Sequence, residues 1–212
     1  MVSVIGEAAF DDAWGGRAAA LGQLRSGRAR ASHLRAVHTG AGSLALGQEP
    51  DTGATEVLVA AFRATMRRVV GGVCVVTADV GGMPHGTTVS AFFSLSMRPP
   101  MMAVSLDNTS NLLAGIRVGQ AAGINILAAG QADLALRFAR KSDDKLAGVA
   151  WTSDHGSPRL AGVHAWVAVR VGRAVPGGDH TLLLCEVLAS TPAEAPAPLT
   201  YHEGDFGTHV TP

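Results

Sequence analysis

The chain has 212 residues, enough for one sizeable core or one domain with an extension, and too few for two full domains. Lys and Arg total 17 and Asp and Glu total 17, so no net charge marks a nucleic-acid or membrane-surface binder, and neither partner is expected. A hydrophobic content of 47% beside 16% charged residues excludes wholesale disorder. No apolar run approaches the roughly 18 residues a membrane-spanning helix needs, no secretory leader pattern opens the chain, and a cytoplasmic location is expected.

Residues 1–54 are rich in Gly, Ala, Ser and Arg and read as an N-terminal extension, partly helical around 12–38 and otherwise flexible, ahead of a domain over 55–212. In "EVLVAAFRATMRRVV", Leu58, Phe62, Met66 and Val69 recur at spacings of four and three, which predicts an amphipathic helix ended by Gly71 and Gly72. Short β-like runs follow at 73–78, 84–92, 101–106, 122–128, 163–175 and 180–190. That density predicts a mainly β fold with short helices, closer to a β-barrel than to a doubly wound sheet. In 163–171 the alternation is strict, with Val167, Val169 and Val171 on one face and His164, Trp166 and Arg170 on the half-covered other. Two short helices are predicted, one after Ser110 and one over 131–141. Cys74 and Cys185 sit inside apolar runs and read as buried thiols rather than as a disulfide or a nucleophile.

Three stretches carry chemistry. In "GTTVSAFFSLSMRPPMM" (86–102) a single strand would place Thr88, Ser90, Phe92, Ser94 and Ser96 on one side. Such a row suits either a flat polar heterocycle or an exposed, hydrated strand edge. In "SLDNTSNLLAGIR" (105–117) Ser110 is a candidate N-cap, and the turn before it offers either a phosphate site or an ordinary cap. In "LALRFARKSDDKLAGV" (134–149) Phe138 precedes Arg140, Lys141 and Lys145, either a stacking ring beside cations or a solvated helix end. Neither G-x-G-x-x-G after a strand nor a Walker A loop occurs, and no Cys/His set has zinc spacing, so no metal is expected.

Taken in order, "GVCVVTA", "HGTTVSAFFSLSMRPPMMAVSL", "NILA", "LALRFARKSDDKLAGV", "GDHTLLLCEV" and "PLTYHEGDFG" resemble the flavin reductase-like family, the short-chain NAD(P)H:flavin oxidoreductases of two-component monooxygenases. The resemblance spans roughly 57–209 and implies an FMN-binding split β-barrel that forms a homodimer. It implies FMN or FAD as flavin, NADH or NADPH as hydride donor, and a flavin-dependent monooxygenase component as partner. Thr88, Val89, Ser90, Ala91 and Phe92 match the segment lining the isoalloxazine, and Ser94 and Ser96 continue it toward the ribityl phosphate. Thr109, Ser110 and Asn111 match the phosphate-side turn, Phe138 and Arg140 the segment closing over the flavin, and Asn125 a family strand. The "GDH" histidine implies His180 as the residue toward nicotinamide, oriented by Asp179, with Tyr201 and Phe206 as further walls of that pocket. The alternative is a non-catalytic flavin-binding protein of the same fold, acting as a sensor, store or partner subunit.

Overall fold

The computed structural model describes residues 52–142, 144–192 and 197–209, so the predicted helical segment 12–38 lies outside the described residues. The chain runs through α1 (Thr52–Met66), β1 (Gly71–Gly72), β2 (Cys74–Val80), β3 (Met83–Val89), β4 (Phe92–Met97), β5 (Pro100–Asp107), α2 (Asn111–Gly115) and β6 (Ala121–Ile126). It continues through α3 (Ala132–Ala139), β7 (Trp151–Asp154), β8 (Ser157–Leu160), β9 (Ala165–Gly177), β10 (His180–Pro192), β11 (Leu199–His202) and β12 (Asp205–Thr208).

Seven strands make one sheet in the order β3–β2–β6–β9–β10–β5–β4, and every pairing in it is antiparallel. The edge strands β3 and β4 are separated in the chain only by Ser90 and Ala91. The Ser105 N–H donates to the Ala91 carbonyl at 2.9 Å, extending the β4–β5 ladder by one rung, so the two-residue link from β3 to β4 curls the sheet back on itself. Cys74, Val76, Val104, Leu106, Val169, Val171 and Leu183 fill the inside of the curl, with Leu112 and Ile116 from α2 and its C-terminal edge. Val73 and Val75 face the opposite way, into a second core with Leu127, Phe138, Leu160 and Leu199. Burial on both faces is why "GVCVVTA" reads as a continuous apolar run rather than an alternating one.

The outer core depends on close approaches. A Cβ at Gly86 would lie 2.7 Å from Cε1 of Phe138, so only glycine lets α3 press its ring onto β3. The Thr88 hydroxyl donates to the Ala135 carbonyl at 2.6 Å and ties the same helix down.

The β7–β8 hairpin escapes prediction, because "WTSD" and "SPRL" are short, polar and interrupted by Pro158. It is knotted onto β2 and β6 by the wholly buried Asn125. The Asn125 Nδ2 group donates to the Val75 carbonyl at 3.2 Å and to Thr77 Oγ1 at 3.0 Å, while its Oδ1 accepts the Leu160 N–H at 2.8 Å. The side-chain amide of Asn125, matched to a family strand and expected among the cofactor-binding residues, is thus spent on the frame. The same hairpin covers Trp166, which is 1% exposed rather than half-covered, with the Arg159 guanidinium 4.9 Å from its ring centroid. Hydrogen bonds from His155 and Arg159 hold the Asp154 carboxyl below its ordinary value.

Two further expectations change. Gly71 and Gly72 do not terminate α1, which ends at Met66; they pair as β1 with Tyr201 and Thr200 of β11. The apolar stripe of α1 is not buried in the chain's own core, for Leu58 is 68% and Phe62 49% exposed. Cys74 and Cys185 are free and buried as expected, and burial pushes the Cys185 thiol up to about 12 and Cys74 higher still.

Asn125→Ala should lower stability by about 3 kcal/mol, because it strands the buried Leu160 N–H and opens a cavity at once. Urea unfolding measures this, and a loss below about 0.5 kcal/mol would show that the knot is dispensable.

Candidate functional site

The corner between β3 and β4 does not carry the predicted row of hydroxyls. Thr88, Val89 and Ala91 are buried at 0%, 0% and 7% exposure, and Val89 and Ala91 belong to the inner core. A break at Ser90 ends β3, so Thr88 and Ser96 lie on different strands and share no face. Side chains at Thr88, Val89 and Ala91 are therefore unavailable to a ligand, which can meet only their backbone. Ser90 and Phe92 are half-buried and Ser94 is exposed. The half-buried Ser96 is occupied as an acceptor from the Arg98 N–H at 3.2 Å.

A second group forms where β5 and β10 end together. His180 lies opposite Asp107 in that ladder and opposite Gly177 across the β9–β10 turn. Gly178 has φ +68°, the left-handed conformation that opens a tight two-residue turn at low cost for glycine. Asp179 follows, 81% exposed at its side chain, and its Oδ1 stands 2.7 Å from Nδ1 of His180, whose own side chain is 8% exposed. The Asp179 carboxylate accepts a hydrogen bond from Nδ1–H of His180, which fixes the ring's orientation and turns Nε2 away from it. Among the described residues that Nε2 is buried without a hydrogen-bond partner.

Across the ladder, Asp107 Oδ1 accepts from the Thr109 N–H at 2.6 Å and from the Thr109 hydroxyl at 2.7 Å. Burial works to raise the Asp107 carboxyl, but the Thr109 hydrogen bonds and the nearby His180 and Lys141 outweigh it and hold the carboxyl below its ordinary value. Ser110 occupies the predicted N-cap of α2 but makes no side-chain capping bond. The five-residue α2 is in any case too short for its dipole to make an anion site. Asn111 lines a shallow polar cleft with His85, Gly86, Ser142 and Lys145. There the Lys145 ammonium donates to the carbonyls of Phe138 and Gly86 at 3.0 and 3.2 Å.

The curl brings these two groups to one region: Ala91 accepts from Ser105, Ser105 lies opposite Leu182, and Leu182 is two residues from His180. Phe138 does not join them, since its ring is wholly buried against Gly86 and Val75, a correction to the expected stacking role. Arg140, at the exposed C-cap of α3, remains accessible. Tyr201 and Phe206 lie on the three-stranded sheet rather than the strand of His180; their rings face each other at 5.4 Å and pack on the outer core. Sequence reasoning missed His85 and the structural part played by Asp107, although "DNTS" has the form of an Asp-led turn.

Ser90 and Phe92 remain half-buried, and Nε2 of His180 is unpartnered among the described residues. Comparison with known proteins bears on the same region. The chain is 38% identical over 158 residues to an NADH:FMN oxidoreductase of Rhodococcus qingshengii, covering 72% of this chain and 82% of that one. It is 40% identical over 152 residues to the reductase component of a 4-nitrophenol 4-monooxygenase/4-nitrocatechol 2-monooxygenase of Rhodococcus opacus, covering 70% and 82%. Among solved structures, the NADH:FAD oxidoreductase SgcE6 of Streptomyces globisporus C-1027, in complex with NAD and FAD fragments, superposes with a TM-score of 0.66 at 28% identity, covering 77% of this chain and 98% of that one. The model of the flavin reductase like domain family matches residues 66–209, the span that contains the curled sheet, both turns and the cleft. With that match and those relatives, the chain belongs to the flavin reductase like domain family.

Proposed function

We propose that the protein oxidises NADH, reduces FMN or FAD, and supplies the reduced flavin to a flavin-dependent monooxygenase component. Family membership and the names borne by its relatives support that activity. The observation in the chain itself that carries it is the buried Nε2 of His180, aimed by Asp179 and left without a partner among the described residues. A buried polar atom without a hydrogen bond costs about 1–3 kcal/mol, a cost a bound amide donor would remove. The carboxamide of nicotinamide is such a donor.

The coenzymes supply the hydride chemistry, and the protein's task is to hold two rings in register and limit competing reactions. Ser90 and Phe92 offer one half-buried edge for the flavin. Thr109, Ser110 and Asn111, with Arg140 and Lys145 nearby in the fold, would hold its phosphate end through hydroxyls and cations. His180 and Asp179 would fix the nicotinamide. Because the His180 ring is 8% exposed, nicotinamide reaches Nε2 only if a neighbouring side chain gives way.

The curled sheet is read as the family's split β-barrel working as a homodimer. Phe93, Leu95 and Met97 on the edge strand β4 are 50%, 42% and 75% exposed, Leu58 and Phe62 of α1 are exposed as well, and a second copy is the occupant that would cover them. Sedimentation should give twice the chain mass; a monomer at micromolar concentration would overturn the dimer.

NADH oxidation by the purified protein should rise steeply on addition of FMN or FAD. Flavin that binds but stays oxidised would instead identify a non-catalytic flavin binder. His180→Ala should raise the KM for NADH about tenfold while leaving flavin affinity close to wild type, as expected for loss of one buried hydrogen bond. Equal losses on both ligands would mean that His180 does not mark the nicotinamide.

A further inference from the structure

Asn108 makes a cluster of bonds that the proposed activity has not used. Its backbone N–H donates to the Asp179 carbonyl at 3.0 Å. Its side-chain Nδ2 donates to the Gly178 carbonyl at 3.2 Å. Its Oδ1 accepts from the Thr181 hydroxyl at 2.8 Å. The paired ladder of β5 and β10 stops at Asp107 opposite His180, so Asn108 extends it by one residue, using its side chain where the strand has ended. The three bonds fall on the residues before and after His180 and never on His180 itself.

That arrangement answers a mechanical need. Gly177 and Gly178 give the β9–β10 turn a backbone with little conformational resistance, and Gly178 already sits at φ +68°. Left to itself, such a turn would let the Asp179 carboxylate and the His180 ring explore several positions. Gripping the Gly178 and Asp179 carbonyls on one side and the Thr181 hydroxyl on the other removes that freedom. Asn108 is also the immediate neighbour of Thr109, whose N–H and hydroxyl bind Asp107, so one residue joins the turn assigned to the flavin phosphate to the turn that bears the histidine.

We infer that Asn108 is a positioning residue, one that sets the orientation of the Asp179–His180 pair for nicotinamide through its bonds to Gly178, Asp179 and Thr181. The role rests on the reading of His180 as the nicotinamide contact. Other side chains cannot supply the same set, because the grip needs a donor and an acceptor on one short planar group.

The test is steady-state kinetics of Asn108→Ala and Thr181→Val, alone and combined with His180→Ala. Asn108→Ala should raise the KM for NADH about three- to tenfold, with kcat at saturating NADH within about twofold of wild type. Thr181→Val, which removes one of the three bonds, should give a smaller change in the same direction, and it decides the matter if Asn108→Ala fails to fold. In the His180→Ala background, Asn108→Ala should add almost nothing, because the ring it positions is gone. A merely structural residue would lower thermal stability without this dependence on His180. A folded Asn108→Ala protein with an unchanged KM, or an effect that multiplies fully with that of His180→Ala, would overturn the inference. If His180→Ala itself leaves the KM unchanged, the nicotinamide assignment falls and this role falls with it; a normal His180→Ala effect beside a silent Asn108→Ala overturns the positioning role alone.

Discussion

The antiparallel ladder between β4 and β5, extended to Ala91 by the bond from the Ser105 N–H, together with the two-residue link from β3, is the constraint on which the site depends. A seven-stranded antiparallel sheet has two edges with unpaired backbone groups, and here chain connectivity puts those edges only two residues apart. Bringing them together encloses the inner core and leaves Ser90 on the rim. It also fixes the distance from that rim to the ends of β5 and β10, because Ser105 is in register with Leu182. The separation between the two candidate ligand regions is therefore a property of strand register rather than of flexible loops.

Much of the sheet was legible in the chain. β2, β5, β6, β9 and β10 announce themselves as apolar runs because each is buried on one or both faces, and burial is what β-branched and leucine-rich stretches encode. The hydroxyl-rich corner misled because period-two reasoning assumes an unbroken strand, whereas the chain leaves β3 at Val89 and enters the opposite edge strand β4 at Phe92. Phe138 misled for a related reason. An aromatic beside cations looks like a stacking platform, but its burial is decided by the missing Cβ of Gly86, on a strand far earlier in the chain. The helix α1 shows the opposite failure: its period is real, yet among the described residues no core stands opposite its stripe.

The site residues divide on the same principle. Polar side chains that meet all their partners inside the fold, such as Asn125 and Thr88, stabilise the frame and have nothing left for a ligand. His180 differs because only one of its two ring nitrogens is satisfied. Residue type alone does not separate these cases, since a buried asparagine and a buried histidine both read as polar interruptions in apolar strands. Only the hydrogen-bond inventory separates them, and that inventory depends on which hairpin lies across which strand.

The two cysteines gain significance from the proposed chemistry. Reduced flavin reacts with dioxygen to give peroxide, so a protein that releases it works in its own oxidant. Peroxide attacks thiolates far faster than thiols. Burial raises both the Cys185 and the Cys74 thiols well above the ordinary value, so both are held as thiols at neutral pH. Placing both sulfurs inside the curl keeps them as buried thiols, the form that peroxide attacks slowly.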